Sequence, residues 1–261
     1  MPISESLKVW QDHRNAELTS PDSWLGLIGL FWLQPGINPV GSDANAIVRL
    51  PCGPAVLGYL FWGDGTLLWR PEHGEPQALA TDRSGTPTIV DFENLSFFVV
   101  DREGQLAVRL RDRNWANRRN VLPLSYFAFD PAWIVEANWL AIEPPLVMEV
   151  PNVSGELKPV TVVFRAVFDI AGESISLLPM SVGKEEVFFV FRDRTSGKDS
   201  YGAGRFLKVP AAVDGKIWLD FNRAYNPPCA FTSFATCPLP PPENWLPFAV
   251  PAGERKWQDH P

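Results

Sequence analysis

The sequence predicts a mainly β protein, an antiparallel barrel or sandwich of about ten to twelve strands, with a short N-terminal helical segment and a Pro-rich C-terminal strap. Several short runs alternate apolar and polar residues with a period of two, which is the side-chain spacing of a strand. Turn-forming Gly, Pro, Asn and Asp residues separate these runs at hairpin-like spacing. Aromatic residues are abundant, with 11 Trp and 17 Phe, and bulky rings suit half-buried strand faces.

Residues 1–34 form the predicted helical segment. Ser4 is placed to cap a first helix. Four residues follow at the spacing that brings side chains to one helical face: Leu7, Trp10, Arg14 and Leu18. Ser20-Pro21-Asp22 predicts a second helix start, because the first turn of a helix tolerates proline. The apolar residues from Trp24 to Leu30 are therefore expected on a short helix that lies against the sheet.

The predicted β core spans residues 46–222. Leu95 to Asp101 and Gln105 to Arg111 flank Arg102-Glu103-Gly104, which predicts a β-hairpin. In its second strand three apolar residues alternate with Ala107, Arg109 and Arg111, so one face is expected to be buried and the other wet. The other predicted strands are Ala46 to Leu50, Ala55 to Trp62, Thr66 to Arg70, Trp133 to Trp139, Val160 to Phe168, Ser174 to Met180, Glu186 to Phe191, Tyr201 to Val209 and Lys216 to Phe221.

A single domain is expected over residues 1–261, since no low-complexity linker or block of like charges divides the sequence. Proline concentrates at turns and in the last part of the chain. Proline fixes φ and lacks the backbone N–H, so residues 223–254 are predicted to run as an extended strap across one end of a barrel. The apolar side chains expected to point inward from this strap are Phe231, Phe234, Leu239 and Leu246.

Charge and hydropathy narrow the classes of partner. The formal net charge of −7 disfavours nucleic acid as a partner, because binding to phosphates needs an excess of Lys and Arg. It also disfavours an anionic membrane surface. The longest apolar run, Trp24 to Leu33, is too short to span a bilayer. No export signal is evident, which predicts a cytoplasmic protein whose Cys52, Cys229 and Cys237 are reduced thiols.

The part of the sequence from Phe191 onward is the most distinctive. Its characteristic strings are Ser200-Tyr201-Gly202-Ala203-Gly204-Arg205-Phe206-Leu207, Ala224-Tyr225-Asn226-Pro227-Pro228-Cys229-Ala230-Phe231 and Thr236-Cys237-Pro238-Leu239-Pro240-Pro241-Pro242-Glu243-Asn244. Earlier strings are Ser23-Trp24-Leu25, Gly29-Leu30-Phe31-Trp32-Leu33 and Gly41-Ser42-Asp43. In these strings, from Trp24 to Glu254, the chain resembles an uncharacterised family catalogued as domain of unknown function 1684. The resemblance implies no activity, cofactor or catalytic residue.

Polar residues of this distinctive part are the candidate site. Asp193, Asp220 and Glu243 are candidate catalytic residues, because two carboxylates across a barrel mouth can act as general acid and base. The alternative for Asp220 is that it caps a strand end and hydrogen-bonds a turn. Five further residues either bind a ligand or bond to backbone groups that the prolines leave without partners. They are Tyr201, Arg205, Asn222, Tyr225 and Asn226.

Cys229 and Cys237, with seven residues between them, have three possible roles: buried structural thiols, a redox or disulfide pair, or a metal or nucleophile site. A metal needs two more ligands, and the sequence has no CxxC or HxxxH pair. A cysteine nucleophile usually needs a histidine base, but the histidines, His13, His73 and His260, lie outside the distinctive strings. No metal and no cofactor is predicted.

A basic cluster surrounds Trp115 in this otherwise acidic chain. Guanidinium groups can pair bidentately with a carboxylate or phosphate ligand. The same residues can instead form a solvated strand face and loop. The cluster consists of Arg109, Arg111, Arg113, Arg118 and Arg119.

Three functions are compatible with these patterns. The first is a small-molecule binding protein whose pocket, lined by Trp and Phe, is closed by the C-terminal segment. The second is a hydrolase or lyase that uses carboxylates in place of histidine. The third is a structural or interaction module that offers Pro238 to Pro242 as a polyproline ligand. The oligomeric state is left open, because one sequence does not separate an interface from a core.

Overall fold

The computed structural model describes residues 4–115, 121–153, 155, 157–170 and 172–258. It confirms the mainly β class with antiparallel sheets and one N-terminal α-helix. The described residues contain sixteen strands, more than predicted, since several are only two or three residues long. The chain divides into two compact units, Met1–Thr19 with Val121–Pro261 and Ser20–Asn120. That residues 1–261 act as a single domain stays a prediction.

The described part of the unit Ser20–Asn120 contains nine strands in two sheets. One sheet has the order β1-β9-β8-β7 and the other β3-β2-β4-β5-β6. Apolar side chains of both sheets, among them Leu60, Trp69, Phe97 and Val108, form its buried core. The strands are β1 (Leu27–Trp32), β2 (Gly36–Gly41), β3 (Val48–Arg49), β4 (Gly58–Gly63), β5 (Thr66–Pro71), β6 (Gln77–Ala78), β7 (Val90–Phe92), β8 (Leu95–Arg102) and β9 (Gln105–Asp112).

The predicted hairpin is confirmed, because β8 and β9 pair as far as Arg102 and Gln105. Two other expectations for this unit are wrong. The predicted helix over Trp24 to Leu30 is absent: Trp24–Gly26 is a 3-10 turn, and strand β1 follows it directly. Strand β1 forms antiparallel hydrogen bonds with β9, which a helix could not form. The face of Ala107 and Arg109 is buried rather than wet, and the Arg109 guanidinium lies over the Trp24 ring at 5.0 Å.

The larger unit begins with helix α1 (Glu5–Thr19), as predicted. The backbone N–H of Leu7 donates to Ser4 Oγ at 3.3 Å, so Ser4 caps the helix. Leu7 and Leu18 are buried on its inner face. Arg14 lies on the same face and keeps only 18% of its side chain exposed. A charged group in that position needs a buried partner, which the chain supplies from its last residues.

Seven strands complete the larger unit in two antiparallel sheets, β12-β11-β10-β16 and β13-β14-β15. Buried apolar residues of both sheets, including Ala166, Phe189, Leu207 and Leu219, form one cluster. Strand β15 begins at Arg205, four residues later than predicted. The preceding Gly204 has φ +101°, and a Cβ atom at this position would clash with the carbonyl oxygen of Phe191. The strands are β10 (Ile134–Pro151), β11 (Leu157–Ile170), β12 (Glu173–Leu177), β13 (Pro179–Val182), β14 (Glu186–Phe191), β15 (Arg205–Pro210) and β16 (Lys216–Asp220).

The Pro-rich strap predicted over residues 223–254 is not confirmed as an element crossing the end of a barrel. The segment forms 3-10 turns at Pro228–Ala230 and Pro242–Asn244, joined to neighbouring chain by isolated backbone pairs. Leu246 is buried as expected, whereas the other three predicted inward residues are only half-buried. Those three are Phe231, Phe234 and Leu239. Polar contacts therefore hold this segment as much as apolar packing does.

Candidate functional site

A surface groove in the larger unit is the candidate site. It has a volume of about 690 Å³ and lies between strands β10 to β12 and the residues that follow the second 3-10 turn. Its apolar lining includes the buried side chains of Ile175, Leu178 and Leu246. The complete lining is Ile142, Pro144, Pro145, Leu146, Arg165, Glu173, Ser174, Ile175, Ser176, Leu178, Glu243, Trp245, Leu246 and Pro247.

Two consecutive prolines shape one wall of the groove. Pro144 and Pro145 lack the N–H that a strand ladder needs, so regular pairing between β10 and β11 is interrupted here. The ladder steps from the pair Ala141–Phe164 directly to the pair Leu146–Val162. Between these two pairs β10 has five residue steps and β11 has two, so the extra residues of β10 bulge out of the ladder beside the groove.

Asn244 fixes the opposite wall. Its side chain is completely buried and makes three hydrogen bonds of 2.8 Å to backbone. Oδ1 accepts from the N–H of Leu178, and Nδ2 donates to the carbonyls of Leu178 and Val190. These bonds attach the turn that carries Glu243 and Trp245 to strand β14 and to Leu178, the residue between β12 and β13. Trp245 stays 53% exposed, and its Nε1 donates to Pro240 O at 3.1 Å.

The charged residues of the groove are turned to solvent. They are Arg165, Glu173 and Glu243, and all three are exposed. Among the described residues, no ion pair and no side-chain hydrogen bond engages any of the three. A guanidinium without an internal carboxylate partner is available to an external anion. The groove thus combines an apolar floor, one exposed indole and polar groups of both signs.

The three predicted catalytic carboxylates lie in different surroundings. Asp193 is buried, and its Oδ2 accepts from Arg205 Nη2 at 2.8 Å. Asp220 caps a 3-10 turn by accepting from the N–H of Asn222 at 3.1 Å and also pairs with Arg223. Glu243 alone of the three lines the groove. Asp220 thus has the turn-capping contacts that the sequence offered as its alternative role.

The predicted ligand-binding residues do not line the groove. Asn222 bonds to the backbone of Asp130 in both directions, through Oδ1 at 3.2 Å and Nδ2 at 3.1 Å. The Tyr201 hydroxyl donates to Cys229 O at 2.8 Å. Asn226 Nδ2 donates to Arg255 O at 2.9 Å. The contacts of these three residues therefore go largely to backbone groups around the prolines.

Arg205 belongs to a buried charged network of four residues, Arg14, Asp193, Arg205 and Glu254, and Tyr225 lies beside it. Arg205 is fully buried and also donates to the carbonyls of Val250 and Ala252. Glu254 accepts from Arg14 Nε at 2.8 Å and from the N–H of Asn226 at 2.7 Å. The Arg14 guanidinium lies 4.9 Å from the centre of the Tyr225 ring. Two atoms near the network lack a partner among the described residues, Arg205 Nε and Asn226 Oδ1.

Burial dominates the electrostatics of this network. Loss of hydration raises the pKa of Glu254, because the attraction to Arg14 offsets only part of that cost. Loss of hydration likewise lowers the pKa of Arg205 despite the nearby Asp193. Burial also lowers the pKa of Arg14, but the attraction to Glu254 outweighs it and the pKa is raised. Burial therefore outweighs ion pairing for Glu254 but not for Arg14. The Glu254 side chain has no contact with solvent, whereas the Arg14 side chain keeps some exposure.

The remaining sequence candidates have structural partners or fall outside the described residues. Of the basic cluster, Arg111 pairs with Asp22 at 3.1 Å and Arg113 with Asp91 at 2.8 Å. Arg118, Arg119 and His260 lie outside the described residues. Among the residues that the structure describes, no group of three His, Cys, Asp or Glu side chains could hold a metal ion. No described helix is long and apolar enough to cross a membrane.

Sequence reasoning missed most of the groove. Arg165 lies on a predicted strand and Glu173 directly before one, where exposed charges are common and carry no signal of a site. Pro144-Pro145 was the usable signal, because two prolines within a strand-like run require a break in the ladder. Trp245, next to the predicted Glu243, marked the other wall.

Fold and groove define a mainly antiparallel β protein with an amphipathic surface site. The chain belongs to the family described as protein of unknown function (DUF1684), whose model matches residues 122–255. It is also similar to an uncharacterised protein of Haloarcula marismortui, solved by NMR in solution. The two are 36% identical over 55% of this chain and 86% of the other, with a TM-score of 0.43. No curated protein matches the chain.

Proposed function

We propose that this protein binds a small organic molecule in the groove beside the C-terminal segment. The observation that carries the proposal is the composition of the groove: an apolar floor, a half-exposed Trp245 and the ion-pair-free Arg165 around about 690 Å³. Small-molecule sites typically have volumes of about 300–1,000 Å³, with mostly apolar walls and few polar groups. All groove residues fall within the matched residues 122–255.

A second cavity of about 640 Å³ in the smaller unit is the competing location. Its lining, which includes Tyr59, Phe61 and Arg70, lies wholly outside residues 122–255. A function shared by members of the family is better supported by residues inside the matched part of the chain. We therefore assign the site to the groove. The cytoplasmic location stays a prediction.

The composition of the groove indicates the class of ligand. An aromatic or branched apolar body fits against Trp245 and the floor, where burial of carbon removes water. An anionic group on the ligand fits Arg165, and a hydrogen-bonding group fits the hydroxyls of Ser174 and Ser176. Glu173 and Glu243 disfavour a ligand with several negative charges, because their carboxylates would repel those charges. The proposed ligand is amphipathic with one acidic group.

Anilinonaphthalene sulfonate is a suitable probe, because it joins an aromatic body to one anion. Trp245→Ala should weaken its binding about tenfold, equivalent to about 1.4 kcal/mol. Trp218→Ala is a matched control, since Trp218 on β16 is 54% exposed, almost the same as Trp245, and does not line the groove. Fluorescence titration gives both dissociation constants. Equal constants for Trp245→Ala and the unmodified protein would contradict the proposal.

Arg165→Gln tests the anionic end of the ligand. The loss of affinity for the sulfonate should be greatest at low ionic strength and should shrink as salt screens the exposed charge. A natural ligand is sought by comparing the native and denaturing masses of freshly purified protein. A defined mass excess in the native state that disappears in Trp245→Ala but persists in Trp218→Ala would locate that ligand in the groove.

A second candidate function, a carboxylate-dependent hydrolase or lyase, is favoured by one observation. Glu173 and Glu243 line the same groove, so two carboxylates face one volume. In that case a bound compound would be converted, and Glu243→Gln would abolish its conversion while leaving binding of the sulfonate probe within about twofold. Parallel loss of binding and turnover would instead assign Glu243 to ligand binding.

The third possibility, a free polyproline ligand, has less support. A polyproline ligand must present its ring faces to the partner. Pro240 and Pro241 are buried, and the N–H of Leu239 donates to Pro151 O at 2.7 Å. Resistance of this segment to proteolysis in the native protein would agree with the packed arrangement.

A further inference from the structure

The distinctive C-terminal segment brings two thiols together at a place separate from the groove. Cys229 lies in the 3-10 turn Pro228–Ala230, and Cys237 lies eight residues later. The N–H of Cys229 donates to Cys237 Sγ at 3.3 Å. The carbonyl of Cys237 accepts from Val153 N at 3.0 Å, so its position is tied to the end of β10. The Cys237 sulfur thus lies against the backbone of Cys229, and the Cys237 backbone is itself fixed by a hydrogen bond.

The two cysteines differ in access to solvent. Cys229 is partly exposed, whereas only 5% of Cys237 is exposed. The Tyr201 hydroxyl donates to the carbonyl of Cys229, and the Cys237 sulfur accepts from the N–H of the same residue. The neighbouring side chains of Cys237 and Tyr201 lower the pKa of Cys229, with Cys237 the largest cause and burial opposing it. Cys229, the more exposed residue, is therefore also the one whose thiolate is favoured, which is the arrangement of a reactive thiol with a resolving partner.

We propose that Cys229 and Cys237 form a redox-active thiol pair, which a peroxide oxidises to an intramolecular disulfide. The proposal is independent of the groove and of its ligand. It needs no histidine base, because the neighbouring side chains of Cys237 and Tyr201 already favour the thiolate of Cys229. It also needs no metal, since two sulfur atoms suffice for the product.

The reaction proceeds in two balanced steps. In the first, the Cys229 thiolate attacks one oxygen of hydrogen peroxide; an S–O bond forms, the O–O bond breaks, and the leaving hydroxide takes up a proton to become water. In the second, the sulfur of Cys237 attacks the sulfenic sulfur of Cys229. The S–S bond forms, the S–O bond breaks, and a second water leaves with the proton of Cys237. Two electrons pass from the sulfur pair to the peroxide.

The main test uses the full chain carrying Cys52→Ser, which removes the exposed third thiol and with it the simplest route to intermolecular disulfides. After treatment with a small excess of hydrogen peroxide, the intact mass should fall by two hydrogen atoms and return with dithiothreitol. Trypsin releases Ala224–Arg255 as one peptide that holds both cysteines, since no Lys or Arg lies between its ends. That peptide should carry the whole mass change. An unchanged mass, or only disulfide-linked dimers, would overturn the proposal.

Three variants on the same background test the roles of the individual groups. With Cys237→Ser, the sulfenic acid on Cys229 has no resolving partner and should be trapped by dimedone. With Cys229→Ser, the buried Cys237 should show no comparable labelling. Tyr201→Phe should slow the oxidation about three- to tenfold, because it removes the hydroxyl that holds the Cys229 carbonyl and lowers the pKa of Cys229. Preferential dimedone labelling at Cys237 would contradict the assigned order of attack.

Discussion

The buried charged network and the groove both combine arginine with carboxylates, but they use these groups in opposite ways. In the network, Arg205 has lost all contact with solvent and directs its donors to Asp193 and to backbone carbonyls. In the groove, Arg165 is exposed and has no ion-pair partner among the described residues. In the network the charged groups pair with each other and with the backbone, whereas in the groove they remain available to a ligand.

The comparison separates distinctiveness in sequence from availability for function. Arg205 and Asn226 lie in the distinctive strings and Glu254 ends the resembling stretch, yet their polar atoms mainly hold the C-terminal segment in place. Such segments are rich in proline and so poor in backbone donors, and side chains must supply the missing hydrogen bonds. Changes in the network should therefore affect stability, and changes in the groove should affect binding.

Arg205→Met should have the largest effect on stability. It leaves Asp193 buried without its cationic partner and removes the donors to two carbonyls, which should cost about 3–5 kcal/mol of unfolding free energy. Urea denaturation measures the loss. The double variant Arg205→Met with Asp193→Asn should recover part of it, because the unpaired charge is then absent. A loss below about 1 kcal/mol would mean that the network is not the structural unit described here.

Asn244→Ala should follow, with a loss of about 2–4 kcal/mol, because three backbone groups of Leu178 and Val190 lose their partner in a buried place. Unlike Arg205→Met, it should also weaken binding of the sulfonate probe, since Asn244 holds the turn that carries Trp245. The exposed Asn45 is the control, and Asn45→Ala should change stability by less than about 0.5 kcal/mol. If Asn244→Ala lowered stability but left probe binding unchanged, the turn held by Asn244 would not be needed for binding in the groove.

Arg14→Met and Arg165→Met form a direct test of the comparison. Arg14 pairs with the fully buried Glu254 but retains some exposure, so its removal should cost about 1–3 kcal/mol. Arg165→Met should alter stability by less than about 0.5 kcal/mol and alter probe affinity instead. Thermal and chemical denaturation, read beside the fluorescence titration, measure both properties. Similar losses of stability in the two variants would contradict the proposal that Arg14 stabilises the fold while Arg165 serves ligand binding.

The sequence predicted the architecture better than the site. Alternation and turn residues were sufficient for the β class, for strand β14 and for the β8–β9 hairpin, because these features depend on local spacing. Helix α1 followed from a cap and one apolar face. The expected helix over Trp24–Leu30 was wrong because pairing with β9, a contact distant in sequence, outweighed local propensity.

The site depends on such distant contacts throughout. Arg165, Glu173 and Trp245 line one groove, whose walls include the prolines at the β10 bulge and the turn that Asn244 attaches to Leu178 and β14. Arg14 was recognisable on an apolar helix face, but its partner, 240 residues away, was not. The sequence singled out polar residues of a distinctive segment as a site, but their bonding partners became visible only in the fold.

The pH dependence of stability gives the smallest of the predicted effects. Burial raises the pKa of Glu254 above its usual 4.5, so the folded state holds this proton more tightly than the unfolded state. Stabilisation from this group is complete below pH 4.5 and is lost as the pH rises through the higher pKa of the folded state. Glu254→Gln is neutral at every pH and lacks this loss.

The free-energy difference, unmodified protein minus Glu254→Gln, should therefore decrease with rising pH, with a slope of at most about 1.4 kcal/mol per pH unit. Urea denaturation from acid to neutral pH gives this difference. Asn45→Ala, which changes no titratable group, serves as the exposed control, and its difference should stay flat. A difference for Glu254→Gln that increases with pH would mean that Arg14 more than compensates the burial of this carboxylate.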